Sequence, residues 1–318
     1  MNEPLNYRGA VVAVVGPTAG GKSARAVALA KQFDGEIVSA DSMQVYRGMP
    51  IATAQPTADE RGGVPHHLIG FLDPDTPFSV AKYQALANQT IRDVLGRGKL
   101  PILVGGTGLY IDAVVNNTRF LPDAGTGHRA ALQKEMEERG AAALLQTLAE
   151  IDPQTATKLH VSDEKRIIRA LEVYYETGLT MTQQRAQSHL QSADFRFCLL
   201  GLTAQDRQVL YDRIDRRVAR MLADGLLDEA RRFFAAGHVP TAKQAIGYKE
   251  LKPYLDGAEP LESAVERLKR ETRRYAKRQL TWFRRNPDIH WLYIDRDTPA
   301  QLLDAGGRII NRFLGDTL

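Results

Sequence analysis

Gly16, Pro17, Thr18, Ala19, Gly20, Gly21, Lys22 and Ser23 fit the pattern G-x-x-x-x-G-K-[ST]. The chemistry of that pattern is anion binding. Backbone N–H groups of a glycine loop and the positive end of a helix dipole converge on a phosphate, the lysine adds a point charge, and the serine hydroxyl can hold Mg2+. Read alone, the loop grips a di- or triphosphate and leaves open which one, and what is done with it.

Further residues could act on such a ligand. Asp41 follows a strand-like run, where a carboxylate is a general base, a Mg2+ holder or simply a turn aspartate. Gly105-Gly106-Thr107-Gly108-Leu109-Tyr110 follows another such run. It is either a close-approach loop with a useful Thr107 hydroxyl or a structural turn. Between Gln208 and Leu222, Leu210, Ile214 and Met221 share one helical face, and Arg217 projects onto it while Arg213, Arg216 and Arg220 cluster away from it. An inward arginine needs an anionic partner, either a phosphate or a carboxylate. From Val265 to Arg285 nine Lys/Arg face two acids, interleaved with Tyr275, Trp282 and Phe283. That excess of seven charges suits a polyanion, with Trp282 and Phe283 better read as core. His66-His67 lack a spaced partner that would make a metal site.

The elements that must position these residues follow from periodicity. Apolar runs at 10–15, 36–40, 100–104, 196–202 and 290–294 read as strands, and 22–32 and 79–97 as helices. This βαβ rhythm predicts an α/β fold: a parallel sheet with flanking helices. From about 120 to 195 no strong strand appears. Helices are expected over 129–139, 141–150 and 164–177, with Asp152-Pro153 starting another. The predicted domains are a core, 1–119 and 196–318, and an all-helical insertion, 120–195. Helices at 205–223, 225–236 and 260–284 complete the core.

The 318 residues, 43% hydrophobic and 25% charged, describe an ordinary globular protein. The net charge of +4 is local: without Val265–Arg285 the rest carries −3. No run is long enough to span a bilayer, and Met1–Asn6 does not read as a signal peptide, so a cytoplasmic protein with no membrane partner is expected. The single Cys198 excludes an internal disulfide and reads as a buried small apolar residue.

Seven segments in order resemble one family, the tRNA dimethylallyltransferases (tRNA isopentenylpyrophosphate transferases), in their bacterial form. They are GPTAGGKS at 16–23, DSMQVY at 41–46, GGTGLY at 105–110, DEKRIIRALEV at 163–173, RIDRRVARML at 213–222, QAIGYKE at 244–250 and AKRQLTWFRR at 276–285. The chain ends without the Cys/His-rich zinc module of eukaryotic members. The resemblance implies a P-loop NTPase/kinase-like core, dimethylallyl diphosphate rather than ATP in the loop 16–23, Mg2+ as cofactor with Ser23 as its ligand, and transfer of the dimethylallyl group to N6 of the adenosine at tRNA position 37. It implies a flipped-out adenine in the anticodon stem-loop, Asp41 as the base, and Thr18, Lys22 and Arg217 on the leaving diphosphate. It further implies RNA contacts from Asp41, Ser42, Met43, Gln44 (reading the adenine), Thr107, Arg129, Lys165, Arg166, Ile167, Ile168, Arg169, Lys243, Gln244, Ala245, Ile246, Gly247, Tyr248, Lys277, Arg278, Gln279, Trp282 and Arg284. A monomer is expected.

Three other readings share part of this sequence. A kinase using ATP explains the first 110 residues but not the basic segment. An adenylate isopentenyltransferase, acting on free AMP, ADP or ATP, needs no long basic C-terminal region. A nucleotide-switched RNA-binding protein would need an N-K-x-D element, which the sequence lacks.

Overall fold

The computed structural model describes residues 7, 9–118, 120, 127–188, 194–237 and 245–315. The chain divides into two compact units, Met1–Val115 with Asp194–Leu318, and Asn116–Ala193.

The first unit opens with β1 (Ala10–Val15), α1 (Lys22–Gln32), β2 (Gly35–Ser39), the single-turn α2 (Ala58–Arg61), the two-residue β3 (His66–His67), α3 (Val80–Gly96), β4 (Leu100–Gly105) and α4 (Gly108–Val115). The second unit holds α5 (His128–Ile151), α6 (Pro153–Ala156), α7 (Glu164–Thr177) and α8 (Met181–Ser188). The chain then returns with β5 (Arg196–Thr203), α9 (Arg207–Ala223), α10 (Leu226–Ala235), α11 (Tyr248–Leu255), α12 (Leu261–Phe283), β6 (His290–Tyr293) and α13 (Pro299–Gly315).

The six strands form one sheet in the order β3-β2-β4-β1-β5-β6, with every pairing parallel. β1 lies in the middle, and all six of its residues are buried. That explains its unbroken apolar run, since a central parallel strand is covered on both faces. Val12 and Val14 face one layer with Leu29, Ile102 and Leu200, whereas Val11, Ala13 and Val15 face the other with Tyr83, Ile91 and Phe283. Each buried valine contributes about 1.5–3 kcal/mol. The strand order reverses about β1, so the loops leaving the carboxyl ends of β1, β2 and β4 open a crevice there.

In the second unit, Leu132, Leu144, Leu148, Ile167, Ile168 and Leu171 form the core. The two helices expected at 129–139 and 141–150 are halves of α5. Gly140 interrupts it at φ 78°, a left-handed conformation that marks the break. The buried Asp152 accepts from Thr155 N (3.1 Å), Thr182 N (3.0 Å) and Thr182 Oγ1 (2.6 Å), joining α6 to α8.

Several elements lie outside the sequence reading. α4 begins inside a glycine turn, α11 contains Pro253, and α13 contains Gly306-Gly307. Each carries residues that intrinsic propensity counts against a helix. Burial overrides it in α13, where Gly306 packs against Leu29, Leu200 and Leu292.

Candidate active site

The loop Gly16–Ser23 joins β1 to α1. Gly16 has φ 135°, and a Cβ there would sit 2.2 Å from the Leu202 carbonyl oxygen, so only glycine fits. Gly21 caps α1 in the left-handed region with no side-chain acceptor, which leaves the first helical N–H groups available to an anion. Lys22 Nζ donates to Pro17 O at 2.8 Å. Burial, then the neighbouring Arg217, push its pKa down to about 8, against an opposing pull from Asp41. Ser23, the next residue of α1, is exposed.

Asp41 leaves β2 beside this loop. Its Oδ1 accepts from Met43 N (2.9 Å) and Gln44 N (3.4 Å), so half of the carboxylate serves the turn. Oδ2 has no hydrogen-bond partner among the described residues. Arg217 reaches the same place from α9. Burial lowers its pKa, while Asp41 and Glu60 favour its charge. Among the described residues Arg217 forms no ion pair, so the carboxylate bridge that was its structural alternative is not made. Arg213, which helical projection places away from the apolar face of α9, also reaches the loop. Its Nε donates to Ala19 O at 2.8 Å and so holds the loop at a non-glycine residue with φ 61°. Helical projection marks burial by neighbouring helices, and it misses a partner lying off the helix end.

The glycine turn after β4 is structural. A Cβ on Gly105, Gly106 or Gly108 would lie 2.0 Å from Ala40 O, 2.2 Å from Gln279 Nε2 or 2.3 Å from Trp282 Cδ1. The protein itself therefore fills the space these glycines free. Thr107 Oγ1 accepts from Ser42 N at 3.0 Å, tying the turn to the Asp41 loop.

Helix α12 supplies the third side of the site and changes several expectations. Gln279 is 5% exposed and its amide is engaged within the protein. Its Oε1 accepts from Thr18 N at 2.8 Å, and its Nε2 donates to Gly106 O at 2.9 Å. Trp282 packs partly buried over α4, donating Nε1–H to Asp112 Oδ2 at 2.8 Å, with Arg285 over its ring. Phe283 is core. The nine cations of the segment are not equally free. Arg267 pairs with Glu259, Lys269 with Glu266, Arg273 with Asp215, and Arg274 with Glu271. Lys277, Arg278, Arg284 and Arg285 are exposed, with no ion pair among the described residues. The usable charge thus concentrates at the end of α12 nearest the loop 16–23.

Other residues expected to contact RNA differ in burial. Ile167 and Ile168 lie in the core of the second unit. On the same helix Lys165, Arg166 and Arg169 are exposed, with Arg169 and Arg129 converging on the buried Glu172 at 2.7 and 3.4 Å. Ala245 and Tyr248 are buried, Gly247 likewise, and Met43 and Ile246 pack against the same cluster. The Tyr248 hydroxyl donates to Glu229 Oε1 at 2.9 Å, and Glu229 accepts from Ile51 N and Ala52 N at 2.8 Å each. The Gln44 amide is bonded within the protein. Both N–H donors go to Thr53 O and Ala54 O (3.2 and 3.1 Å), and Oε1 accepts from Ser39 Oγ. Lys243 and Gln244 lie outside the described residues.

A parallel sheet, a glycine loop at a helix N-terminus, two unpaired cations and a carboxylate with one oxygen free define a phosphate-binding enzyme of P-loop, kinase-like fold. A family model described as IPP transferase matches residues 44–286, and one described as Isopentenyl transferase matches residues 9–66. The chain belongs to the IPP transferase family. It is 48% identical to tRNA dimethylallyltransferase 1 of Pelobacter propionicus, covering 89% of this chain and 92% of that one. It is 44% identical to the tRNA dimethylallyltransferase of Heliobacterium modesticaldum, covering 95% of each. Among solved structures, the tRNA isopentenylpyrophosphate transferase of Bacillus halodurans superposes with a TM-score of 0.73 at 44% identity, covering 97% of both chains. A eukaryotic dimethylallyltransferase acting on tRNA superposes at 0.82 with 31% identity, covering 96% of this chain and 80% of that one. In the described residues no helix is long and apolar enough to cross a membrane.

Proposed function

We propose that this chain transfers a dimethylallyl group from dimethylallyl diphosphate to N6 of the adenosine at position 37 of tRNA. The observation that carries the diphosphate is the pair Lys22 and Arg217. Burial disfavours the charge on both, Arg217 disfavours it further on Lys22 and Arg220 on Arg217, while Asp41 favours the charged form of each. Such a pair is stabilised by a polyanion seated between them at the start of α1. Lys22, Arg217, the loop amides and the Thr18 hydroxyl would hold the diphosphate, where charge grows as the allylic C–O bond breaks. The N6–C bond forms as that bond breaks, diphosphate leaves, and the N6 proton passes to the free Oδ2 of Asp41. An exocyclic amine is a weak nucleophile, so a carboxylate at attack distance matters.

Mg2+ fits this site as a partner of the substrate. Ser23 offers one hydroxyl, and the described residues contain no group of three or more His, Cys, Asp or Glu. The diphosphate oxygens and water would complete the shell, the usual habit of Mg2+. Bound there, the ion would neutralise charge on the leaving diphosphate.

The RNA would lie along Lys277, Arg278, Arg284 and Arg285, with Lys165, Arg166 and Arg169 adding contacts from the second unit. The backbone around Ser42 to Gln44 and the Thr107 turn would border the adenine, which is cheapest to extrude from a single-stranded anticodon loop. One chain acting alone in the cytoplasm suffices for this chemistry. The test is incubation with labelled dimethylallyl diphosphate and Mg2+ plus unmodified tRNA, AMP or ATP. Label on tRNA is expected. Label on AMP alone, or ATP hydrolysis without transfer, overturns the reading in favour of an adenylate isopentenyltransferase or a kinase.

A further inference from the structure

Three loops must keep a fixed spacing for the proposed transfer: 16–23 for the diphosphate, 41–44 for the base, and 105–108 beside it. Each leaves a different strand, and loops are the mobile parts of a fold. One side chain joins two of them. The Gln279 carboxamide accepts the Thr18 N–H at 2.8 Å and donates to the Gly106 carbonyl at 2.9 Å. The third loop is tied in next door, where Thr107 Oγ1 accepts from Ser42 N at 3.0 Å and donates to Ser42 Oγ at 3.3 Å. Gln279 is buried, and Gly106 has no room for a Cβ because the amide nitrogen would lie 2.2 Å from it. Tyr275, one turn earlier on α12, is a hydrogen-bonding neighbour of both Thr107 and Gln279.

We propose that Gln279 is a positioning residue for the transfer reaction, a clamp that sets the distance between the Thr18 loop and Asp41. This rests on the function proposed above. A carboxamide carries an acceptor and a donor on one planar group and so meets an N–H and a C=O at once. A carboxylate offers two acceptors, so one of its oxygens would face the Gly106 carbonyl. A neutral carboxylic acid restores the donor.

The variants follow from that chemistry. Gln279→Met keeps the length and volume and removes both bonds. Gln279→Glu keeps the acceptor and gains the donor only when protonated, and burial raises that carboxyl pKa. In the full-length protein with dimethylallyl diphosphate and unmodified tRNA, Gln279→Met is expected to lower kcat by roughly 10–100-fold, as small misplacements of reacting groups do. KM for tRNA is expected to stay within about twofold, inside normal scatter for a residue that touches no RNA. The kcat ratio of Gln279→Glu to the native protein is expected to rise as pH falls from 8 to 6, a signature that mere packing would not give. Circular dichroism and thermal melts show that each variant is folded at the assay temperature. If Gln279→Met does not fold, the pH-dependent ratio of Gln279→Glu decides alone, and a flat ratio overturns the proposal. An unchanged kcat in folded Gln279→Met overturns it. So does a loss carried wholly by KM for tRNA, which would make Gln279 an RNA-binding residue. Absence of transfer by the native protein would instead reject the functional reading beneath it.

Discussion

Lys22 gives the sharpest quantitative consequence of the site. Burial and Arg217 hold its pKa at about 8, against an ordinary 10.5. A bound diphosphate supplies the counter-charge and restores a high pKa, so binding takes up a proton wherever Lys22 starts neutral. With one proton linked, the charged fraction falls from about three-quarters at pH 7.5 to about 3% at pH 9.5. Dimethylallyl diphosphate affinity should therefore weaken about 25-fold over that range, or about 2 kcal/mol. Neither the buried phenols nor Arg217 competes with it in that range. Burial pushes the phenols of Tyr83, Tyr110 and Tyr275 upward, and Arg217, though lowered, remains an arginine. The sign for stability is opposite. The folded protein penalises the charged lysine below pH 8, and the penalty, at most about 3 kcal/mol, is relieved as pH climbs toward 10.5. Isothermal titration with dimethylallyl diphosphate at pH 8, in buffers of different ionisation enthalpy, should show uptake of about half a proton. Lys22→Met should bind about 30-fold more weakly at pH 7.5, the value of a charge-assisted hydrogen bond, and lose the pH dependence. Equal affinity at pH 7.5 and 9.5 in the native protein, with no proton uptake, would refute the linkage.

Four other variants probe neighbouring parts of the site. Asp41→Ala should cut the transfer rate by about 10²–10⁴ while tRNA affinity stays near normal; collapse of tRNA binding would make Asp41 chiefly a recognition residue. Replacing Lys277, Arg278, Arg284 and Arg285 with alanine should flatten the salt dependence of tRNA binding by about 0.7–0.9 for each phosphate no longer neutralised. Arg273→Ala, which removes a charge already paired with Asp215, should leave that slope alone. Gln44→Ala strips two donors from the carbonyls of Thr53 and Ala54 and should lower stability by about 1–3 kcal/mol, read as a lower Tm with substrate selectivity intact; a switch in the accepted base would restore Gln44 as a reader of adenine.

What could be read from the sequence was what repeats along it. β1, α1 and α7 match their expected spans because apolar period, loop glycines and the Gly178 stop all lie within one local stretch. The anion site was legible for the same reason, being one loop between one strand and one helix. Gln279 was not. It sits among Lys277, Arg278 and Arg284, and the family resemblance gave it an RNA contact with them, whereas helical geometry turns it inward with Ala276 and Phe283. Ile167 and Ile168 likewise turn inward between Arg166 and Arg169, since adjacent helical positions point in different directions. Arg213 and Gln44 needed tertiary knowledge of another kind, because their partners, Ala19 and Thr53, are backbone carbonyls that leave no mark in side-chain pattern. The charge of α12 was counted correctly and located wrongly: Asp215 and Glu259, distant in sequence or beyond the helix, take up part of it.

The most direct measurement of the central claim is mass spectrometry of an unmodified tRNA treated with the protein, Mg2+ and dimethylallyl diphosphate, then digested to fragments and nucleosides. The account predicts one dimethylallyl group, on N6 of the adenosine beside the anticodon at position 37, with diphosphate released in equal amount. An unmodified anticodon loop, or a dimethylallyl group at any other position, would contradict it.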